Sequence, residues 1–367
     1  MITPDFPPSR GGIQVLVHRL VTHAEGLDSI VLALGGRETR EFDSRGELDV
    51  RRVTPLAGRR RTAVAALNLR AVRTALWTRP DVVLSAHIVV SPAAAVIRRV
   101  LRVPVVQYVY AKEIGARPKL ASFAVRNADA VIAISRYTRQ LALDVGAAPE
   151  RIALIPPGVD LPSPHRLPRP GSANGRRRLI TVARLEDRYK GHDVLARALP
   201  LVRVHVPDVE WVIVGDGPLR GHLERLVEAS GVSDAVRFVG SVSDEERDRL
   251  LQDADVFAMP SRLPARGLAG EGFGIVYLEA NARGLPVIAG DVAGAVDAVV
   301  DGETGMLVDA DDHVALAEAI STLLLDRERA ESLGAAGFER SRQFAWSEIA
   351  ARVEALLRDV VTNRARA

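Results

Sequence analysis

The sequence predicts an α/β protein of two doubly wound domains, and three observations carry that prediction. Short apolar runs alternate with segments of helical periodicity as far as residue 155, and the alternation restarts at Leu179. Between the two series, residues 161–177 are dominated by proline, glycine, serine and arginine, the composition of a linker. Glycines cluster where strands hand over to helices, at Gly11-Gly12, at Gly191, at Gly215-Asp216-Gly217 and at Gly270, Gly272 and Gly274. The expected organisation is a first domain over 1–160, the linker, a second domain over 178–343, and a closing segment over 344–367.

With 367 residues, 47% of them hydrophobic, the chain is long enough for two ordinary cores. The absence of cysteine rules out disulfides, thiolate metal sites and cysteine nucleophiles, and is compatible with a cytoplasmic location. The first ten residues hold no apolar signal core, and the most apolar window, 82–97, is broken by His87, Ser91 and Pro92. Charge is unevenly placed. Residues 1–165 carry 23 Lys and Arg against 14 Asp and Glu, the remainder 26 against 32. A basic first half suits an anionic partner or a peripheral contact with the inner membrane face, and equally a set of solvated faces. No nucleic-acid partner is expected.

Only Met1 and Ile2 precede the turn Thr3-Pro4-Asp5-Phe6-Pro7-Pro8, so the central strand of the first domain is expected to be nearly absent. Either translation begins upstream or the sheet is short there. Gly11-Gly12 then opens a helix over 13–24, with Ile13, Leu16, Val17, Leu20 and Val21 on one face. A glycine pair at a helix start offers backbone donors to a phosphate. Strands are predicted over 29–34 and 50–54, then a helix over 61–77 with Arg59, Arg60, Arg61, Arg70 and Arg73 near or on it. Val64, Leu67, Ala71 and Leu76 would dock it on the sheet, leaving either a solvated or a membrane-facing surface. Residues 81–87 read as a buried strand with His87 at its carboxyl end, where open α/β sheets place ligands. A structural cap on the next helix is the other reading of His87. Strands follow over 103–109, 129–134, where Ser135 caps the next helix, and 152–155.

The second half predicts strands over 179–183, 209–214, 236–239 and 255–259, and helices over 312–325, 328–342 and 346–361. Its centre is the stretch 265–290. Glu271 and Glu279 there have seven residues between them, a helix is expected over 274–282, and 287–289 reads as a buried strand. Glu271 stands just ahead of a glycine-rich helix start, and Glu279 sits inside the helix, where its carboxylate could accept from a diol.

The run EGFGIVYLEA resembles the E-x7-E signature of retaining glycosyltransferases of family 4. The longer pattern FAMPSR…EGFGIVYLEA…GLPVIAG is closest to the family's actinobacterial GDP-mannose-dependent phosphatidylinositol monomannoside mannosyltransferases. The resemblance implies the GT-B fold, two Rossmann-like domains facing across a cleft with a C-terminal helix crossing back to the first. It implies sugar contact for Glu271, ribose contact for Glu279, and donor contacts at Gly272, Phe273, Gly274, Ile275 and Val276. Arg184 and Lys190, between a strand and Gly191, match the family's diphosphate-gripping loop. Gly11 and Gly12 match the loop that approaches the donor diphosphate, with Asp5 nearby, and Gly240 should pass near the nucleobase. Where the family often carries H-x-H-E, this chain reads Tyr110-Ala111-Lys112-Glu113. That leaves His87 as the imidazole expected on the acceptor side.

The implied chemistry is hexosyl transfer from a GDP-mannose-like or other nucleoside diphosphate sugar to a hydroxyl on a glycolipid, an oligosaccharide or a small metabolite, with retention. Arg184, Lys190, Glu271 and His87 are the expected catalytic set. No Asp-x-Asp clamp stands at a strand end and the eight histidines lack ligand spacing, so no metal and no cofactor are expected. Paired carboxylates also suit a retaining glycosidase, which needs no diphosphate clamp. A nucleotide-sugar-binding protein without catalysis and a sugar-nucleotide epimerase are the remaining alternatives.

Overall fold

The computed structural model describes residues 1–9, 11–36, 38–54, 60–162, 176–264 and 270–366. Arg59, residues 163–175 of the expected linker and residues 265–269 at the head of the glycine-rich stretch lie outside them. The chain divides into two compact units, Met1–Gly158 with Trp346–Ala367, and Val159–Ala345.

The first unit begins with α1 (Gly12–His23), β1 (Ile30–Leu34), α2 (Thr39–Ser44), β2 (Asp49–Val53) and α3 (Arg60–Thr78). It continues through β3 (Val83–Ser85), α4 (Ser91–Val96), β4 (Val105–Val109), α5 (Ala111–Ala116), α6 (Pro118–Arg126), β5 (Ala130–Ala133), α7 (Arg136–Asp144) and β6 (Ile152–Leu154). All its strand pairs are parallel: β1 with β2, and β3-β4-β5-β6 in that order. The strands of the second set are almost wholly apolar, as a sheet covered on both faces requires. Ile2 stands between the two sets, bridging Leu32 and Ser85 in parallel. The Ile2 amide donates to Leu84 at 2.9 Å and its carbonyl accepts from Ala86 at 2.9 Å. On the other side, Thr3 donates to Leu32 at 3.0 Å and Leu32 donates to Met1 at 2.9 Å. Two or three residues thus occupy the central-strand position.

The strand expected over 81–87 is shorter because the backbone turns at His87, which caps the 3-10 turn Ile88–Val90. Ser135 caps α7 in a reciprocal capping box with Thr138. Leu16, Val17, Leu20 and Val21 of α1 are buried, while Ile13 is only half-buried.

The second unit comprises β7 (Arg178–Val182), α8 (His192–His205), β8 (Glu210–Val214), α9 (Arg220–Ala229), β9 (Val236–Gly240), α10 (Asp244–Gln252) and β10 (Val256–Met259). After these come α11 (Ile275–Asn281), β11 (Val287–Gly290), α12 (Ala295–Ala298), β12 (Gly305–Val308), α13 (His313–Leu325) and α14 (Arg327–Ser341). Its six strands run parallel in the order β12-β11-β10-β7-β8-β9. The chain winds outward in one direction from β7 and in the other from β10, the order of a doubly wound nucleotide-binding sheet. Trp211, Ile213, Leu195, Leu199, Leu316 and Ile320 belong to its main core. The last helix, α15 (Trp346–Arg366), returns to the first unit and runs past the expected end at 361.

Candidate active site

In the second unit the winding reverses between β7 and β10, which are neighbours. Open α/β sheets bind ligands beyond the carboxyl ends of their strands at such a point. The loops leaving these two strands carry the residues singled out in the sequence. Two glycines let the loops approach each other. Gly191 has φ +78° and a Cβ there would run into the carbonyl of Pro260. Gly274 has φ +89° and a Cβ there would run into the Tyr277 ring. Neither position tolerates a side chain without movement. The Arg262 amide donates to the Tyr189 carbonyl at 2.8 Å, and the Arg262 guanidinium holds Asp193 at 2.9 Å. The buried Tyr277 hydroxyl donates to the Met259 carbonyl at 2.8 Å.

At this junction the Lys190 ammonium contacts the Glu271 carboxylate. The pair leaves only 17% and 12% of its side chains exposed. Tyr189 lies beneath, with the Lys190 nitrogen 5.2 Å from its ring centre. Burial, then the negative charge of Glu271, pushes the Tyr189 hydroxyl far above its usual range, with Arg184 opposing. Arg184 is therefore within electrostatic reach of the same place. Its guanidinium, however, pairs with Glu186 at 3.2 Å and is more than half exposed.

The Glu271 carbonyl accepts from Gly294 at 2.9 Å, and a Cβ on Gly294 would strike the Gly272 carbonyl. Phe273 is buried with its ring 6.0 Å from that of Phe344. The turn before α11 is thus fixed on both sides. Gly274 has no side chain to cap α11, whose first amides, those of Ile275 and Val276, lack intrahelical acceptors. Glu279, further along α11, has its ion pair with Arg247 of α10 at 3.6 Å. Burial raises its carboxyl and Arg247 opposes the shift. Gly240 ends β9 at φ +79°, its carbonyl accepting from Gly215 at 2.8 Å.

The first unit carries a second polar cluster at the carboxyl end of its sheet. Val89 donates to His87 Nδ1 at 3.1 Å, so the neutral ring carries its proton on Nε2. That nitrogen faces Glu113 at 2.6 Å and Asp5 at 3.5 Å. His87 is therefore the cap and also a member of the polar cluster. Asp5 further accepts from Arg60 at 3.0 Å and Gln14 at 3.3 Å. Burial raises the Glu113 carboxyl, with His87 opposing. The Tyr110 hydroxyl is buried without a hydrogen-bond partner among the described residues, while Lys112 is exposed. The Gln14 side chain covers Gly11, and Gly12 is exposed at the first turn of α1.

Sequence reasoning missed Arg247, Gln14, Tyr189 and Tyr277 as members of these clusters. Gln14 sits one turn into the Gly-Gly helix, a usable signal; Arg247 lies in a charged helix that reads as solvated. Among the described residues, no group of three or more His, Cys, Asp or Glu side chains is placed to hold a metal ion. No helix among them is long and apolar enough to cross a membrane.

A doubly wound sheet with a lysine–glutamate junction at its switch point, joined to a second parallel-sheet unit, suits a glycosyltransferase that uses a nucleotide-sugar donor, and the comparisons with known proteins place the chain in that class. The glycosyltransferase family 4 model matches residues 10–163, and the model of glycosyl transferases group 1 matches residues 166–340. A GDP-mannose-dependent alpha-(1-6)-phosphatidylinositol monomannoside mannosyltransferase of Mycolicibacterium smegmatis is 35% identical over 361 residues, 92% of each chain. The enzyme of the same name from Mycobacterium tuberculosis is 39% identical over 238 residues, covering 63% of this chain and 62% of its own. The chain belongs to glycosyltransferase family 4, close to the actinobacterial phosphatidylinositol monomannoside mannosyltransferases. Its fold is GT-B. HepE of Anabaena, solved with UDP and glucose, superposes with a TM-score of 0.80 at 21% identity, over 97% of this chain and 98% of that one. Sucrose-phosphate synthase of Thermosynechococcus elongatus gives 0.81 at 21% identity, over 99% and 98%.

Proposed function

We propose that the protein is a retaining, metal-independent mannosyltransferase that takes GDP-mannose and glycosylates a hydroxyl of an inositol-containing glycolipid. The observation that carries this reading is the contact of Lys190 with Glu271 at the switch point of the second unit. Cleaving the sugar–phosphate bond separates charge, and preorganised cations at the departing diphosphate lower that barrier most effectively. Lys190 supplies a compact charge there, and Arg184 a guanidinium fork that swings in from the solvent side. With these two cations and the amides of Ile275 and Val276, the leaving group needs no metal ion. Glu271 accepts from a hydroxyl of the transferred sugar, and Glu279 from the ribose diol. The nucleobase lies toward Gly240.

In the first unit, Asp5, His87 and Glu113 present a fixed polar array to the acceptor hydroxyl, with Gly11 and Gly12 beside it. The names of the relatives support a GDP-mannose donor and an inositol lipid acceptor. The surface of α3 supports a peripheral membrane contact, because Leu76, which is exposed and does not dock on the sheet as expected, stands with exposed Leu69 and an 84%-exposed Trp77 beside exposed Arg70 and Arg73. Val96 of α4 and Val100 of the π-helical segment that follows it are also exposed.

The test is transfer of label from GDP-mannose to mannosylated phosphatidylinositol in vesicles, with and without EDTA, and NMR assignment of the new anomeric centre. A labelled α-mannosyl lipid formed equally in EDTA is the expected result. Hydrolysis, epimerisation or binding without transfer would replace the reading by one of the alternatives.

A further inference from the structure

Glu271 and Glu279 are held in opposite ways. Glu271 is in direct contact with Lys190, so part of its accepting capacity is already used. The Glu279 carboxylate accepts no hydrogen bond among the described residues, although its side chain is only 16% exposed. Burial to that degree disfavours the ionised form of a carboxylate unless a nearby positive charge opposes it. Burial raises its carboxyl, Arg247 is the leading opposing charge, and Arg283 comes second.

Arg283 is otherwise occupied. One of its Nη atoms meets Asp248 at 2.6 Å and the other donates to the Glu279 backbone carbonyl at 2.9 Å. It fixes the main chain of α11, not the carboxylate. Arg247 reaches Glu279 at 3.6 Å, Asp248 at 3.8 Å and the exposed Asp244 at 3.0 Å, and its Nε is buried without a hydrogen-bond partner. At 3.6 Å the charge acts on Glu279 without a hydrogen bond, which leaves the carboxylate lone pairs unspent. A vicinal diol donates two hydrogen bonds, and only an ionised carboxylate accepts at both oxygens without presenting a proton of its own.

We propose that Arg247 is a positioning residue that holds the Glu279 carboxylate, charged and unoccupied, for the vicinal diol of the donor's ribose. The inference rests on the reading of Glu279 as the ribose contact. Arg247 itself does not touch the donor. Its helix, α10, follows β9 and Gly240, so the same element links the proposed base side to the ribose side.

The experiment is calorimetric titration of wild type, Arg247→Met, Arg247→Lys, Glu279→Gln and the Arg247→Met/Glu279→Gln double variant. The probes are GDP and 2′,3′-dideoxy-GDP, and melting temperatures are recorded on the same samples. The expected result is that Arg247→Met binds GDP about tenfold more weakly, ~1.4 kcal/mol, and Arg247→Lys recovers most of the loss. The dideoxy nucleotide should bind wild type and Arg247→Met alike, and the double variant should be no weaker than Glu279→Gln. Equal losses for the two nucleotides would make Arg247 a fold or phosphate residue and overturn the proposal. So would a Glu279→Gln loss with no Arg247→Met loss, which leaves the ribose reading intact. Unchanged GDP binding in Glu279→Gln, or none in wild type, overturns that reading and the proposal with it.

Discussion

Lys190 and Glu271 stand 81 positions apart in sequence, and their side chains touch at the point where the second sheet reverses. In the absence of donor each neutralises the other. An ammonium has three donors and can turn toward a diphosphate while keeping one on the carboxylate. Removing it therefore takes away the leaving-group cation and strands Glu271 together. Lys190→Ala is expected to lower turnover by about two orders of magnitude. Arg184→Ala should act in the same direction but less, because water screens a side chain that is 58% exposed. Near-wild-type single-turnover rates in Lys190→Ala would remove the pair from the mechanism. Glu271→Gln should leave free GDP affinity nearly unchanged and slow transfer.

His87 has both ring nitrogens engaged, Nδ1 by Val89 and Nε2 by the carboxylates. Its replacement by alanine uncaps the turn at Ile88 and leaves Glu113 buried without its cation-capable partner. Two losses are expected together: a lower melting temperature, and a transfer rate at least tenfold lower, ~1.4 kcal/mol of transition-state stabilisation. GDP affinity should stay within about twofold. A destabilised variant with normal single-turnover chemistry would confine His87 to packing.

His192 opens α8 next to the Lys190 loop, with its Nε2 buried and without a hydrogen-bond partner among the described residues. Burial first, then Lys190, lowers its pKa to about 4. The unfolded chain, titrating at about 6.5, takes up a proton that the folded chain refuses, so stability falls as pH drops from there toward about 4. Between pH 7 and pH 5 wild type should lose about 2 kcal/mol more than His192→Gln in urea unfolding. Parallel pH profiles for the two proteins would refute this.

Gly274→Ala tests the turn ahead of α11. At φ +89° the added Cβ meets both left-handed strain and the buried Tyr277 ring. A cost of ~2 kcal/mol or more is expected, with transfer impaired because Glu271 and Tyr277 flank the same turn. A variant as stable and active as wild type would mean that the backbone there relaxes freely.

The strands of the second sheet were legible because parallel strands covered on both faces read as unbroken apolar runs, as at 211–214 and 256–259. The Lys190–Glu271 approach could be anticipated only through the family resemblance, since nothing local joins residues 81 positions apart. Three kinds of feature were illegible. Helix α2 buries only Thr39, so no apolar stripe betrays it. Helices α5 and α6 are short and follow one another after β4, where packing, not periodicity, decides the conformation. The inward turn of Arg247 is tertiary: DEERDRLLQ carries charges on every face, and only the neighbouring α11 selects which one is buried.

The brief central strand of the first unit has a mechanical consequence. Ile2 and its neighbours join β1–β2 to β3–β6 through four amide hydrogen bonds and one from the Met1 ammonium to the Ile30 carbonyl, where longer ladders hold the rest of the sheet. Such a seam opens at lower free energy than the plates on either side of it. The first sheet accordingly behaves as two stiff panels joined by a narrow rivet. The amides of Ile2, Leu32 and Ala86 will exchange with solvent sooner than those of β4 and β5.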